Sequence, residues 1–112
     1  MSALTDEDRK SLLKLARSTI ESELIKGAKI KRPENVSPPL KEKRGCFVTL
    51  HKGGVLRGCI GTIEPVRSLV SNVEENAINA AFKDPRFPPL AINELEAIDI
   101  EVSVLTVPTI LE

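Results

Sequence analysis

Two adjacent glycines near the middle of the chain constrain the fold more than any other feature. Gly53 and Gly54 separate a strand-like segment, residues 45–51, from a second one, residues 55–62. Both central residues of a type I′ turn have positive φ, which glycine adopts without a Cβ clash. The sequence therefore predicts a β-hairpin that is closed by this glycine pair.

The turn also predicts which residues of the two strands are opposite each other. With the glycine pair as the loop, the predicted pairs are Leu50 with Arg57, Val48 with Cys59, and Cys46 with Gly61. Because side chains alternate between the faces of a strand, one face carries Cys46, Val48, Leu50, Arg57 and Cys59, and the other carries Phe47, Thr49, His51, Leu56 and Ile60. Both faces include apolar side chains, so we expect both to be covered.

The charge balance limits the functions that this chain can have. Its 112 residues, enough for one domain, include 16 basic and 16 acidic side chains and no tyrosine or tryptophan. Domains that bind nucleic acid typically have a basic surface and aromatic side chains for base stacking. We therefore expect no direct contact with nucleic acid, and we interpret the basic, proline-containing residues 29–44 as a solvated loop.

Nothing in the sequence is typical of export or of membrane insertion. The uncharged apolar runs are shorter than a membrane span, and the first residues are acidic. We expect a cytoplasmic protein without membrane contact. Its two cysteines are then expected to be free thiols, and the predicted register places Cys46 and Cys59 at diagonal positions, beyond the reach of a disulfide.

Two segments have the apolar periodicity of amphipathic helices that dock on a core. The first begins after Thr5, which is a favourable N-cap followed by three acidic residues, and is expected to end near Lys26 and Gly27. Its apolar stripe comprises Leu12, Leu13, Ala16, Ile20 and Leu24. The second helix is predicted to start at residues 63–65, and its stripe comprises Val66, Leu69, Val70, Val73, Ala77, Ala80 and Ala81.

The remaining residues predict an elbow and a third strand. Three prolines prevent residues 83–90 from continuing the second helix, and Phe87 and Leu90 are expected to anchor this elbow to the core. A short turn at residues 93–95 precedes an alternating segment with Ile98, Ile100, Val102 and Val104, which we expect to pair with the hairpin. The predicted fold class is α+β, with a small antiparallel sheet packed by two amphipathic helices.

Two stretches resemble the AMMECR-one domain family, and in particular the A protein of the AmmeMemoRadiSam system. The first is Leu56-Arg57-Gly58-Cys59-Ile60-Gly61-Thr62, called the signature below, and the second runs from Asp84 to Leu90. The resemblance covers essentially the whole chain and implies the same α+β fold, without an established activity. It also implies a pathway shared with a Memo-like protein and a radical SAM enzyme. Because the family domain is longer, we expect the C-terminal part of the domain to be missing after Glu112.

The glycines of the signature indicate a site. Glycine weakens a strand unless a bulge or a close approach requires the missing side chain, and Arg57 is suited to a two-point grip on a carboxylate or phosphate. We therefore predict that a small anionic ligand or a partner protein binds at Arg57, Gly58, Cys59, Gly61 and Thr62. The free N–H groups at the start of the second helix are a further candidate anion site. The alternative is an Arg57 ion pair, with glycines that only accommodate helix packing.

An enzyme that uses Cys59 with Arg57 is the second functional hypothesis. Arg57 and the nearby helix start would lower the pKa of a nucleophilic thiol. The single histidine, His51, falls on the opposite face of the predicted hairpin and reaches Cys59 only if the strand contains a bulge. Cys46, Cys59 and His51 are too few and too differently oriented for a zinc site, so the sequence predicts neither a metal nor a cofactor.

Overall fold

The computed structural model describes residues 4–32 and 37–105. Its helices are α1 (Asp6–Leu24), α2 (Pro38–Lys41) and α3 (Leu69–Phe82), and its strands are β1 (Cys46–Lys52), β2 (Val55–Thr62) and β3 (Ile98–Val104). A 3₁₀ helix, Ile92–Ala97, leads into β3. The strands form one antiparallel sheet in the order β2-β1-β3. The predicted α+β class is therefore confirmed, while the predicted chain end beyond residue 105 lies outside the described residues.

Helix α1 follows the sequence prediction in its cap and in most of its apolar stripe, but Leu13 of that stripe is 40% exposed. Thr5 and Asp8 form a capping box, in which the Asp8 N–H donates to Thr5 Oγ1 at 3.1 Å and the Thr5 N–H donates to Asp8 Oδ2 at 3.0 Å. The Ser37 hydroxyl also donates to Asp8 Oδ1 at 2.7 Å, and this bond is the main reason why the pKa of Asp8 is lowered. No helix within the described part of the chain has both the length and the apolar character needed to cross a bilayer.

Two helix predictions need correction, and both concern segments that contain proline. Helix α3 begins at Leu69 rather than at residues 63–65, because Ser68 supplies the cap and accepts the Ser71 N–H at 3.2 Å. The preceding Pro65 and Val66 belong to a turn, so the prediction that Val66 is part of the buried stripe is wrong, and Val66 is 64% exposed. In the region predicted as an extended loop, Pro38 and Pro39 instead start the one-turn helix α2, since proline is tolerated where helical N–H groups are unpaired. Pro33 of that loop lies outside the described residues.

The hairpin turn is confirmed, but the predicted register holds only at its tip. Gly53 and Gly54 have φ values of +58° and +79°. The register then shifts between Leu50 and His51, so that Arg57 is an extra residue in β2. The resulting pairs are Leu50 with Gly58, Thr49 with Cys59, Val48 with Ile60, Phe47 with Gly61, and Cys46 with Thr62. The three predicted pairs are each wrong by one residue because of this β-bulge.

The helices among the described residues pack on one face of the sheet. The core combines buried side chains of α1 and α3 with Cys46, Val48 and Leu50 of β1. The opposite face, called the open face below, carries Phe47, Thr49, His51, Leu56 and Cys59, together with the exposed Asp99, Glu101 and Ser103 of β3. Its side chains are half-buried or exposed. The prediction that both faces are covered is therefore wrong for the described residues.

Candidate functional site

The bulge decides how the signature presents Cys59. The extra residue moves Cys59 onto the open face, opposite Thr49, whose Oγ1 lies 3.2 Å from the Cys59 sulfur. Cys59 is half-buried. His51 is on this same face, two residues from Thr49 along β1, so it is a diagonal neighbour of Cys59. The prediction that His51 and Cys59 face opposite ways is thus wrong, because a bulge inverts every side chain beyond it.

Arg57 is held inside the protein by an ion pair. Only 8% of the residue is exposed. Its Nε donates to Glu94 Oε2 at 2.8 Å, while its Nη2 donates to Glu94 Oε1 at 3.1 Å and to the Pro88 carbonyl at 2.9 Å. Hydrogen bonding from Arg57 is the largest cause that lowers the pKa of Glu94 to about 2. These contacts match the alternative interpretation of Arg57, in which its guanidinium pairs within the protein.

The two signature glycines permit two different close approaches. A Cβ atom at Gly58 would overlap the carbonyl oxygen of Ala80, so the backbone of α3 packs directly on this part of β2. A Cβ atom at Gly61 would overlap the ring of Phe47, and it would lie 2.7 Å from the Cys46 carbonyl oxygen. Gly58 thus serves helix packing, whereas Gly61 lets an aromatic ring lie across the strand on the open face.

Asp84 and Arg86 bind the main chain of Cys59 at the free edge of β2. The Cys59 N–H donates to Asp84 Oδ2 at 3.0 Å, and Arg86 Nη2 donates to the Cys59 carbonyl at 3.3 Å. Arg86 also pairs with Asp84 through contacts of 3.0 and 2.8 Å. This carboxylate and guanidinium therefore satisfy backbone groups that a neighbouring strand would otherwise bind.

Asp84 and Arg86 shift each other's pKa at this edge. Hydrogen bonding from Arg86 is the main reason why the pKa of Asp84 lies well below its usual range. The pKa of Arg86 is raised chiefly by its hydrogen bond with Asp84. Both charged groups are therefore fixed beside the main chain of Cys59.

Sequence reasoning identified the elbow but missed this polar pair. The prediction that Leu90 anchors the elbow is confirmed, since Leu90 is 3% exposed. Phe87 is half-buried instead, with the Cζ atoms of Arg57 and Arg86 at 5.9 and 5.4 Å from its ring centroid. One local signal could have predicted part of this pair. Aspartate often accepts the N–H of the residue two positions later in a turn, and Asp84 accepts the Arg86 N–H at 3.1 Å.

The remaining predicted residue, Thr62, faces the helices. Its Oγ1 accepts a hydrogen bond from Asn76 Nδ2 at 3.1 Å. Gly58 packs near Ala80, about 16 Å along α3 from Leu69 at 1.5 Å per residue, so Arg57 does not join the start of that helix in an anion site. The predicted set is therefore divided: Cys59 and Gly61 are on the open face, Gly58 and Thr62 face α3, and Arg57 occupies the bulge.

The two thiols have different surroundings. Both are free, as predicted, although the reason differs from the predicted diagonal position, since Cys46 and Cys59 point to opposite faces of the sheet. Cys46 is fully buried, and this burial raises its pKa to about 11. Cys59 is thus the thiol that solvent can reach.

Comparisons with known proteins agree with the sequence resemblance. The family model AMMECR1 matches residues 13–112. A protein from Methanothermobacter thermautotrophicus is 47% identical over 109 residues, which cover 97% of this chain and 57% of that protein. Protein MJ0810 from Methanocaldococcus jannaschii is 46% identical over 114 residues, which cover all of this chain and 56% of that protein.

A solved structure extends the agreement to the fold. The crystal structure of the uncharacterized protein PH0010 from Pyrococcus horikoshii superimposes with a TM-score of 0.85 at 43% identity, covering 97% of this chain and 56% of that one. The chain thus spans little more than half the length of these relatives. Because the family model matches residues 13–112 and these relatives are 46% and 47% identical, the chain belongs to the AMMECR1 family.

Proposed function

We propose that this chain is a binding module whose open face, centred on Cys59, is covered by a partner protein or ligand that carries an anionic group. The observation that supports this most directly is the position of Cys59. It is a half-buried signature side chain on a sheet face that no other described element covers. A sheet face that bears Phe47, Leu56 and a thiol is more apolar than a solvated face usually is.

The site is preorganised at its centre. The Cys59 main chain is bonded on both polar atoms by Asp84 and Arg86, and its sulfur contacts the Thr49 hydroxyl. A surface that is fixed before binding loses less conformational freedom on association. Arg57 has an indirect part in this arrangement, because it holds Glu94 and the Pro88 carbonyl and so ties the elbow to β2.

Arg86, at the free edge of β2 beside Cys59, is the cation that this site offers to an anionic group. Its side chain is 55% exposed, and its Nη1 has no hydrogen-bond partner among the described residues. Guanidinium groups bind carboxylates and phosphates in a planar geometry that favours them over lysine. Arg57 is less available for this task, since its guanidinium is buried against Glu94.

The family resemblance suggests which partners to test first, namely a Memo-like protein and a radical SAM protein from the same genome. Thr49→Arg would place a bulky charge in the middle of the open face and should abolish binding of either partner in calorimetric titration. Glu23→Arg, at an exposed position on α1, is the matched control and should leave binding unchanged. Equal binding by the wild-type and Thr49→Arg proteins would overturn the proposed surface.

A second experiment tests whether the site binds an anionic group. Inorganic phosphate titrated into the labelled protein should shift the amide resonances of Cys59 and Arg86. Arg86→Gln should raise the Kd for phosphate roughly tenfold, as expected for loss of one charge-assisted hydrogen bond. Arg32→Gln, which removes an exposed guanidinium paired with Glu74, should not weaken it. A response that is unchanged by Arg86→Gln would remove the anionic part of the proposal.

A second candidate function, an enzyme that uses Cys59, is favoured by one specific observation. The bulge places His51 on the face of Cys59, and a cysteine nucleophile commonly has a histidine base nearby. Under this hypothesis the rate of Cys59 alkylation follows a titration that disappears in His51→Gln. If His51→Gln leaves the pH profile of alkylation unchanged, the enzyme hypothesis loses the observation that favours it.

A further inference from the structure

An apolar groove lies between the start of α1 and β3, at the edge of the sheet opposite to the strand that carries the signature. Its volume is about 560 Å³. Most of its lining residues are aliphatic, namely Leu4, Leu12 and Leu13 on the helix side and Ile100, Val102 and Val104 on β3. Leu13 is 40% exposed, and the three β3 side chains are half-buried. A contiguous apolar surface is typical of a site that another segment covers.

The backbone of β3 also presents free hydrogen-bonding groups at this edge. Within the described part of the chain, β3 is an outermost strand and pairs with β1 alone. The Leu105 N–H donates to the Gly45 carbonyl at 3.0 Å. Because hydrogen bonds alternate in direction along an antiparallel strand, the backbone groups of Ile100, Val102 and Val104 point away from β1. The edge of β2, by contrast, is occupied by the carboxylate and guanidinium described above. The groove is therefore flanked by backbone groups that an extended segment can bind.

The length and position of residues 106–112 make them the occupant that fits this groove. Strand β3 ends at Val104, which itself lines the groove, and residues 106–112 follow Leu105. Seven extended residues reach about 23 Å at about 3.3 Å per residue. The lining residues Ile100 and Val104 are only about 13 Å apart along the strand. The segment is therefore long enough to turn and to run back along the groove.

We propose that residues 106–112 fold back along β3 as an added antiparallel strand and that Leu111 fills the groove. Pro108 sets the register, because it has no N–H to donate and so occupies a position whose nitrogen points away from β3. Residues 107, 109 and 111 then lie opposite the outward-pointing residues of β3. Side chains that are directly opposite each other share one face of a sheet. Leu111 consequently faces the groove, whereas Ile110 faces the other side.

The test uses the full 112-residue protein with labelled methyl groups. Nuclear Overhauser contacts are expected between the methyl groups of Leu111 and those of Leu13 or Val102, and none are expected from Ile110 to either residue. The outward-pointing Val102 N–H should exchange with solvent about tenfold faster in Leu111→Asp than in the wild type. Ile110→Asp adds the same charge at the neighbouring position and is the matched control, which should accelerate this exchange by less than about threefold. The Glu101 N–H, which points to β1, is the internal reference and should keep its rate.

Three other outcomes would overturn the proposal. The first is contacts from Ile110 in place of Leu111, or equal Val102 exchange in the two variants. The second is contacts that appear only between labelled and unlabelled molecules in a mixed sample, which would assign the groove to a second copy of the chain. The third is an absence of contacts with rapid Val102 exchange in the wild type, which would leave the groove open for a partner protein. If Leu111→Asp accelerates Glu101 exchange as well, that variant has lost its fold, and the methyl contacts of the wild-type protein decide.

Discussion

The two faces of the sheet are built from the same strands, yet they have opposite characters. On the helix-packed face, Cys46 and Leu50 are fully buried, and a Cβ atom at Gly58 would overlap the backbone of α3. On the open face, Cys59 and Thr49 are half-buried, and the atoms nearest to a Cβ at Gly61 belong to the ring of Phe47. The helix-packed face therefore supports the fold, whereas the open face has the accessible groups.

A single extra residue separates these roles. Without the bulge at Arg57, Cys59 would share a face with Cys46, as the uninterrupted register predicts. With the bulge, Gly58 turns to α3 and Cys59 turns to the open face. The signature is therefore one strand that turns Gly58 to the helices and Cys59 to the open face, and Arg57 is the extra residue that sets these two orientations.

The largest expected effect is on the reactivity of the two thiols. Iodoacetamide at pH 8 should modify Cys59 on the order of 1000-fold faster than Cys46, because the raised pKa of Cys46 reduces its thiolate about 100-fold and burial excludes the reagent further. The measurement is peptide mass spectrometry after timed quenching of the native protein. Similar rates at both cysteines would contradict the division of the sheet into a packed and an open face, and the same reaction in urea serves as the control.

The next effect concerns the two glycines. Gly58→Ala should lower the free energy of unfolding by about 3–4 kcal/mol, because the new methyl group meets the backbone of α3 and not a movable side chain. Gly61→Ala should cost less, since the Phe47 ring can rotate away, although the Cys46 carbonyl limits the space. Urea unfolding of both variants measures the difference. A larger loss in Gly61→Ala than in Gly58→Ala would reverse the assignment of the tightly packed face.

Much of the fold was predictable because it depends on local sequence. The cap at Thr5 and the positive φ values at Gly53 and Gly54 require only neighbouring residues. The bulge was not predictable in this way. It depends on Glu94, which is 37 residues from Arg57, and on Ala80, whose backbone presses on Gly58. Since side chains alternate along a strand, this one missed residue changed the predicted face of Cys59 and with it the interpretation of His51.

Arg57→Ala should destabilise the protein by about 2–3 kcal/mol, since it leaves the half-buried Glu94 and the Pro88 carbonyl without their main donor. Lys52 remains near Glu94 at 3.2 Å and limits the loss. Arg67→Ala, which removes an exposed ion pair with Glu75, is the matched control and should change stability by less than about 1 kcal/mol. Thermal unfolding followed by circular dichroism gives both values, and equal melting temperatures for Arg57→Ala and wild type would show that the bulge does not need its ion pair.

The smallest expected effect is the acid dependence that Glu94 confers. Its folded-state pKa is about 2, below the ordinary value of 4.5, mainly because Arg57 bonds the charged form. The unfolded chain therefore binds the proton more readily, so this contribution is complete above about pH 5 and is lost as the pH falls toward 2. Glu94→Gln should lower stability at pH 7 by about 1–2 kcal/mol and flatten the pH dependence between 5 and 2. Glu101→Gln, at an exposed position of β3 that makes no ion pair within the described residues, should leave that slope unchanged. An unaltered slope in Glu94→Gln would mean that the pair of Arg57 and Glu94 does not hold the bulge in solution, and the position of Cys59 on the open face would then need another cause.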